Sequence, residues 1–366
     1  MEQIKLVRLA LIVSLLVTFL GTLNTLMLRT PVTGAQAMFS SPRSPSVYLP
    51  LHTTEGQMCV ITPVNTCTPT PTNTPIPTNT PVPTSTPIGS TLTISKGLAG
   101  IQYCSDLTGT NTSTFYHWNP YIRVCDGAES VPMVRDWDDI VTLIDEYYAQ
   151  GVNMPSDLLG GNSAYILGVN EYDTGAGQAN MTLRQTAIHQ YMMEALFPDL
   201  LIGAPVATPR NTQLIVSLAN TYWGLYNKAP RWDFMPVHCY FYGDPWIELS
   251  NGTLYKMEDI DTCKSIINNA IRYSHTYANG RVWITELGVM ARRDDDGEID
   301  WQPARDKAEE FLTWLESKPE VERVYWYTHR LPDHDTWYWP GSQVTTAAYH
   351  WNTHDLTLLG IVLRDW

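Results

Sequence analysis

Positive charge is scarce in this chain. Its 366 residues carry 23 Lys and Arg against 37 Asp and Glu, a formal net of −14. Up to residue 90 there are four cations and two anions, so the remainder holds 19 and 35, a net of −16. Phosphate binding needs a basic stripe, which argues against nucleic acid as a partner. Long apolar runs are as rare. One exists, and one does not make a polytopic membrane protein. Six Cys in a chain of this length are too few for a disulfide scaffold. No Gly-x-Gly-x-x-Gly or Gly-x-x-x-x-Gly-Lys loop follows an apolar run, so a nucleotide-binding sheet, the rival α/β architecture, has no support. Gly-x-Ser-x-Gly and His-Glu-x-x-His are also missing, and with them the signatures of a nucleophile elbow and a zinc protease. The reading that follows needs no metal and no organic cofactor.

The chain divides into three zones. In residues 1–37, Lys5 and Arg8 precede an apolar run from Leu9 to Leu20 that continues less purely to Leu28. This is the pattern of a secretory signal peptide, with Ala35-Gln36-Ala37 as a cleavage site. An uncleaved membrane anchor has the same pattern. Both place the rest of the chain outside the cytoplasm, secreted or at the cell surface. Residues 38–90 form a linker. From Thr62 to Pro87, 18 of 26 residues are Thr or Pro and none is charged. Proline fixes φ and removes donors, so the expectation is a disordered, extended tether of about 80 Å at about 3.1 Å per residue. Its threonines are candidate O-glycan sites. Residues 91–366 form the globular zone and contain all 13 Trp.

In that zone short apolar runs alternate with amphipathic ones. Strands are predicted at 97–104, 115–118, 131–134, 165–170, 201–205, 234–242, 281–286 and 323–328. Helices are predicted at 137–149, 182–197, 212–226, 257–277 and 303–317. In the first, Ile140, Leu143, Ile144 and Tyr147 fall on one face, and Pro303 suits the first turn of the last. Strand–helix alternation implies a parallel sheet, and eight units in about 275 residues imply a (β/α)8 TIM barrel. The first two units are the weakest, because residues 105–130 read as loop.

Barrel chemistry sits at the C-terminal ends of strands. The fourth predicted strand ends in Asn170-Glu171 and the seventh in Thr285-Glu286. These strands face each other across a barrel, so two carboxyl groups enter one cavity, as glycoside hydrolysis requires. One assists the leaving group as an acid, and the other attacks the anomeric carbon or activates water. Alternation along the sixth strand puts His238, Tyr240 and Tyr242 on one face and Cys239 on the other. A Tyr hydroxyl at the cavity can hold a carboxylate ionised. Trp326 on the eighth strand reads as a flat platform for a sugar. Trp118, at the end of the second strand, joins the same set. So do Trp337 and Trp339, in a loop from Leu331 to Gly341 that also carries Asp333, His334 and Asp335. Adjacent ligands on one loop are a weak metal signal, and Asp294-Asp295-Asp296-Gly297-Glu298 lacks calcium-hand spacing. In an exported chain Cys104 with Cys125 and Cys239 with Cys263 are candidate disulfides by proximity.

Phe115-Tyr116-His117-Trp118, Val131-Pro132-Met133, Leu167-Gly168-Val169-Asn170-Glu171, Pro205, His238-x-Tyr240, Trp283-Ile284-Thr285-Glu286 and Trp326 together resemble the Asl1-like glycosyl hydrolase catalytic domain. That is glycoside hydrolase family 128, among the clan A barrels. The resemblance spans about residues 96–330. It implies a retaining glycosidase acting on β-glucans, typically β-1,3-linked. Glu171 would be the acid/base and Glu286 the nucleophile. Asn170 would bond the sugar 2-hydroxyl and Tyr240 orient Glu286, with His238 and Trp326 shaping the subsite. The carboxyl groups would lie about 5–5.5 Å apart. Tyr172 stands where the family has Pro, and Cys239 where it has Trp. The expected partner is a polysaccharide or oligosaccharide, bound by a monomeric catalytic domain with possible anchoring to a membrane through residues 1–37. A non-catalytic glycan-binding surface protein is the rival function. A barrel that serves only as a spacer is a third.

Overall fold

The computed structural model describes residues 93–366 apart from 122–123, 153–154, 176–177, 249–253, 257, 294–298, 328–336, 340–341, 346 and 349–354. The N-terminal segment, the Thr/Pro tether and the two acidic clusters at 294–298 and 333–335 lie outside the described residues. In chain order the first elements are β1 (Ser95–Ala99), α1 (Ser105–Gly109), β2 (Thr114–Tyr116), β3 (Glu129–Val131), α2 (Trp137–Gln150), β4 (Tyr165–Ile166) and α3 (Leu183–Leu196). Then come β5 (Leu201–Ile202), α4 (Leu214–Tyr226), β6 (Met235–Tyr242), the hairpin β7 (Trp246–Glu248) and β8 (Leu254–Lys256), and α5 (Ile260–Tyr277). The remaining elements are β9 (Val282–Arg293), β10 (Ile299–Asp300), α6 (Gln302–Leu315), β11 (Val321–Trp326), the hairpin β12 (Trp337–Trp339) and β13 (Ser342–Thr345), and α7 (Leu358–Asp365).

The fold is mixed α/β on a parallel sheet. Parallel pairing runs from β6 to β9, β11, β1, β2 and β3. A parallel bridge from Met133 to Leu167 carries the order to β4, which pairs with β5. A second bridge, Gly203 to Phe234, leads back to β6. The order therefore closes on itself, compatible with a TIM-barrel-like fold. Each of the eight predicted strand segments holds one strand of this ring, and each of the five predicted helices is present. The weak first units are short of helix. α1 has 5 residues, and β2 leads to β3 with no helix among the described residues.

The helix ends follow their local chemistry. Asp136 caps α2, accepting from the amides of Asp138 and Asp139, and Gly151 closes it in the left-handed region;. Thr182 and Gln185 form a reciprocal capping box at α3;. Ile140 and Leu143 are the buried residues of α2. Each such side chain contributes about 1.5–3 kcal/mol when removed from water.

Three apolar clusters result. The largest, an outer layer between strands and helices, includes Leu98, Val237, Cys239, Ile284, Leu287 and Trp326, and a smaller one gathers Ile140 and Leu143 of α2, Met193 of α3, Ile166 of β4 and Ile202 of β5. A separate inner cluster takes Ala99, Tyr116, Val131, Met133, Leu167, Phe234, Trp283 and Tyr325, nearly one from each strand of the ring. Its large rings need small neighbours. A Cβ on Gly203 would sit 2.8 Å from the Phe234 ring. The Cys104–Cys125 disulfide joins the loops after β1 and β2, and Cys239–Cys263 ties β6 to α5, with Cα separations of 5.5 and 5.6 Å.

Candidate active site

Glu171 stands in the loop that follows β4 and is held with φ at +43°, a left-handed conformation uncommon for a residue with a side chain. The loop behind it is pinned by Asp173, which accepts from the Thr208 amide at 2.8 Å, the Thr208 hydroxyl at 2.6 Å and Asn211 Nδ2 at 2.7 Å. Strain of this kind persists where the surroundings fix the backbone.

Glu286 reaches the interior through a break in β9. Ile284 pairs with Val237 of β6 and Val324 of β11, and the next partners are Glu286 with His238 and Leu287 with Trp326. Thr285 stands opposite no residue of either neighbour. The extra residue is a β-bulge. Ile284 and Leu287 both face the outer layer. Strict alternation would send Glu286 there as well, and the bulge turns it inward instead.

The two carboxyl groups meet at His238, which is fully buried. His238 Nδ1 lies 2.9 Å from Glu171 Oε1 and 3.5 Å from Glu286 Oε2. Burial works against a charged imidazole, but Glu286, Glu171 and Asp173 outweigh it, and the pKa of His238 is raised above the ordinary histidine value. Glu286 is further contacted by three donors. Trp118 Nε1 donates to Oε1 at 2.9 Å, Tyr240 donates its hydroxyl to Oε2, and the Tyr116 hydroxyl lies 3.4 Å from Oε1. Burial first, and the Glu286 charge second, push both tyrosines well above their usual pKa, so both remain donors. Glu171 and Glu286 are 9% and 5% exposed. The cavity is thus nearly closed around them.

A carboxylate oxygen from each Glu and a ring nitrogen of His238 lie within 4.8 Å of one another. Such a trio also suits a cation. The hydrogen bond between His238 Nδ1 and Glu171, with the ion-pair contact of the same nitrogen to Glu286, already accounts for its geometry.

Most of the sequence-predicted residues converge here. Asn170 is buried beside Glu171, its Nδ2 donating to Gln178 Oε1 at 2.8 Å. Tyr240, His238 and Trp118 touch the carboxylates. Trp326 does not, and its assignment to the sugar subsite is corrected. It is fully buried in the outer layer, paired with Leu98 and Leu287. Tyr325 of the same strand faces inward, so its neighbour must face out. The ring at the site is Tyr327, packed edge-on against Trp118 at 5.6 Å and Tyr240 at 5.8 Å. Burial, then Glu286 and Glu171, raise its hydroxyl pKa. Alternation along Tyr325-Trp326-Tyr327 carried that signal. Trp337 and Trp339 fall on β12, a strand where a loop was expected, paired through β13 to β9. Their side chains lie outside the described residues. Tyr172 is buried in the outer layer, so the residue replacing the family proline faces the core and not the subsite.

Two buried carboxyl groups, brought from the loop after β4 and from β9 of the ring to one imidazole on β6, are the arrangement that hydrolysis of a glycosidic bond needs. A family model for the glycosyl hydrolase catalytic core matches residues 99–338, and the chain belongs to that family. It is a glycoside hydrolase. No curated protein sequence matches the chain. Among solved structures, it is similar to a GH128 (subgroup I) endo-β-1,3-glucanase from Amycolatopsis mediterranei in complex with laminaritriose, with 20% identity, 75% of this chain and 99% of that chain covered, and a TM-score of 0.52. A GH128 (subgroup III) curdlan-specific exo-β-1,3-glucanase from Blastomyces gilchristii shares 21% identity over 74% of this chain and 97% of that chain, at a TM-score of 0.50. A GH128 (subgroup II) endo-β-1,3-glucanase from Sorangium cellulosum shares 15% over 74% and 97%, at 0.52. At these identities the likeness is one of fold.

Proposed function

We propose that the chain is an exported, retaining endo-β-glucanase with β-1,3-glucan as its first substrate. The observation that carries the reading is the closeness of Glu171 and Glu286, whose oxygens come within 4.8 Å. Retaining enzymes hold their carboxyl groups about 5–5.5 Å apart, whereas inverting ones leave about 6.5–9.5 Å for a water. The closed ring of parallel strands is read as a (β/α)8 barrel, with Glu171 beyond the C-terminal end of β4 and Glu286 at the bulge within β9.

Glu286 is the nucleophile. Its carboxylate attacks the anomeric carbon while Glu171 gives a proton to the departing glycosidic oxygen, and the old C–O bond breaks. A glycosyl ester on Glu286 results. Glu171, now a carboxylate, takes a proton from a water that attacks the same carbon, and the ester bond breaks. Both groups return to their starting state. The division of labour follows the surroundings. Trp118 and Tyr240 aim donors at Glu286, which fixes its oxygens for attack. Among the described residues Glu171 shares the His238 ring nitrogen through Oε1, and its other oxygen is read as the one that serves the leaving group. Asn170 bonds the sugar 2-hydroxyl, Trp118 and Tyr327 flank the sugar, and Trp337 and Trp339 extend the binding surface. The β-1,3 linkage is supported by the three similar structures, each a β-1,3-glucanase. Export is supported by the basic and apolar pattern of residues 1–37, and the Thr/Pro segment is read as a stalk.

The test is sugar release by the full chain from β-1,3-, β-1,4- and mixed-linkage glucans, mannan and xylan, with Glu286→Gln as control. Release from β-1,3-glucan that the substitution abolishes is expected. Release that persists in Glu286→Gln would remove the nucleophile from this account.

A further inference from the structure

The bulge in β9 needs its own support. An extra residue takes a peptide group out of the ladder, and a buried carbonyl left unpaired costs about 1–3 kcal/mol. Thr285 is fully buried. Its carbonyl accepts from the Tyr116 hydroxyl at 2.8 Å, across the ring from β2. The same hydroxyl stands 3.4 Å from Glu286 Oε1. Tyr116 is itself fully buried and held edge-on by Trp118 at 5.5 Å and Tyr325 at 5.2 Å. Its oxygen therefore has little freedom to move.

We propose that Tyr116 is a positioning residue that locks the Thr285 bulge and so keeps Glu286 turned into the cavity. This rests on the reading of Glu286 as nucleophile. Tyr240 and Trp118 grip the end of the Glu286 side chain, while Tyr116 grips the backbone that decides which way the side chain leaves the strand. Without that grip, β9 regains ordinary alternation at lower cost, and alternation points Glu286 at the helices.

The experiment compares Tyr116→Phe, Tyr325→Phe and Glu286→Gln in the full chain. Tyr325 serves as the control because it is equally buried in the inner cluster, yet its hydroxyl bonds Thr114 and Arg323 rather than a carboxylate. On a soluble β-1,3-glucan, Tyr116→Phe is expected to lower kcat about 10²-fold, the cost of a misplacement near 1 Å, with KM nearly unchanged. Labelling of Glu286 by an activated 2-deoxy-2-fluoro-β-glucoside, mapped by mass spectrometry, should slow by the same factor. Tyr325→Phe should keep the wild-type ratio of kcat to KM. A crystal structure of Tyr116→Phe reads the same point without turnover, and the Glu286 contacts with Trp118 and Tyr240 should be lost. If those contacts persist, or if kcat and labelling are unchanged while Glu286→Gln is inactive, the positioning role is wrong and the nucleophile stands. If Glu286→Gln stays active, the functional reading fails first. Should Tyr116→Phe not fold, ring-fluorinated tyrosine at 116 keeps the shape while changing the donor strength. A change in kcat there and none for the same replacement at 325 supports the role, and equal responses overturn it.

Discussion

Glu286 and Glu171 differ in the company their oxygens keep, and that difference extends to the residues that hold the partners. Trp118 can donate to Glu286 because Gly100, with φ at +71°, leaves room beneath its indole. A Cβ there would come within 2.9 Å of Trp118 Cη2 and closer still to the neighbouring ring carbon. Gly100→Ala is therefore expected to destabilise by about 1–2 kcal/mol from the left-handed backbone alone and to lower kcat by displacing the indole. Unfolding midpoints and steady-state kinetics on one preparation check both effects. The eighth strand supplies a paired contrast. Trp326→Ala should cost about 3–5 kcal/mol as a core truncation with KM unchanged, while Tyr327→Ala should raise KM about 3- to 10-fold with little change in stability. The reverse pattern would restore Trp326 to the subsite. Glu171 and Glu286 were legible in sequence because each stands where a short apolar run stops, and His238 and Tyr240 because alternation along one run put them on the same face. Trp326 was misplaced by one position, since a platform was sought by residue type before the face was counted.

At the level of elements, period-2 alternation reveals a strand and hides a bulge. The runs at β6 and β9 were plain in the sequence, but the inward turn of Glu286 depends on an extra residue that composition does not mark. The strands β7, β8, β10, β12 and β13 were also unread, because each has only 2 to 4 residues, too few to show a period, and is defined by pairing with a neighbour. Two contacts between elements lead to measurements. Cys239 and Cys263 fasten β6 to α5, so Cys263→Ala should lose about 2–4 kcal/mol, and a reductant should lower the wild-type melting temperature. His189 on α3 is buried with Nε2 at 3.1 Å from the carbonyl of Asp136, the cap of α2. Burial lowers its pKa from 6.5 to about 4. A depressed histidine pKa means the unfolded chain binds the proton more readily, so this stability is complete above pH 6.5 and is lost as pH falls toward 4. His189→Gln should flatten the acid side of the stability–pH curve between those values. A slope equal to wild type would assign the acid sensitivity elsewhere.

At the scale of the molecule, the ring of strands brings chemistry from distant parts of the sequence to one end. Trp118, Glu171, His238, Glu286 and Tyr327 come from five strands and share one cavity, so no contiguous motif holds the site. The acidic balance of the globular zone fits an uncharged polymer better than a phosphate-bearing one. The central claim is a double displacement at Glu171 and Glu286, and the stereochemistry of the first product tests it most directly. Proton NMR of the full chain acting on a soluble β-1,3-glucan, read before mutarotation, should show the β-anomer at the new reducing end. The α-anomer appearing first would mean a single displacement by water and would contradict the assignment of Glu286 as nucleophile.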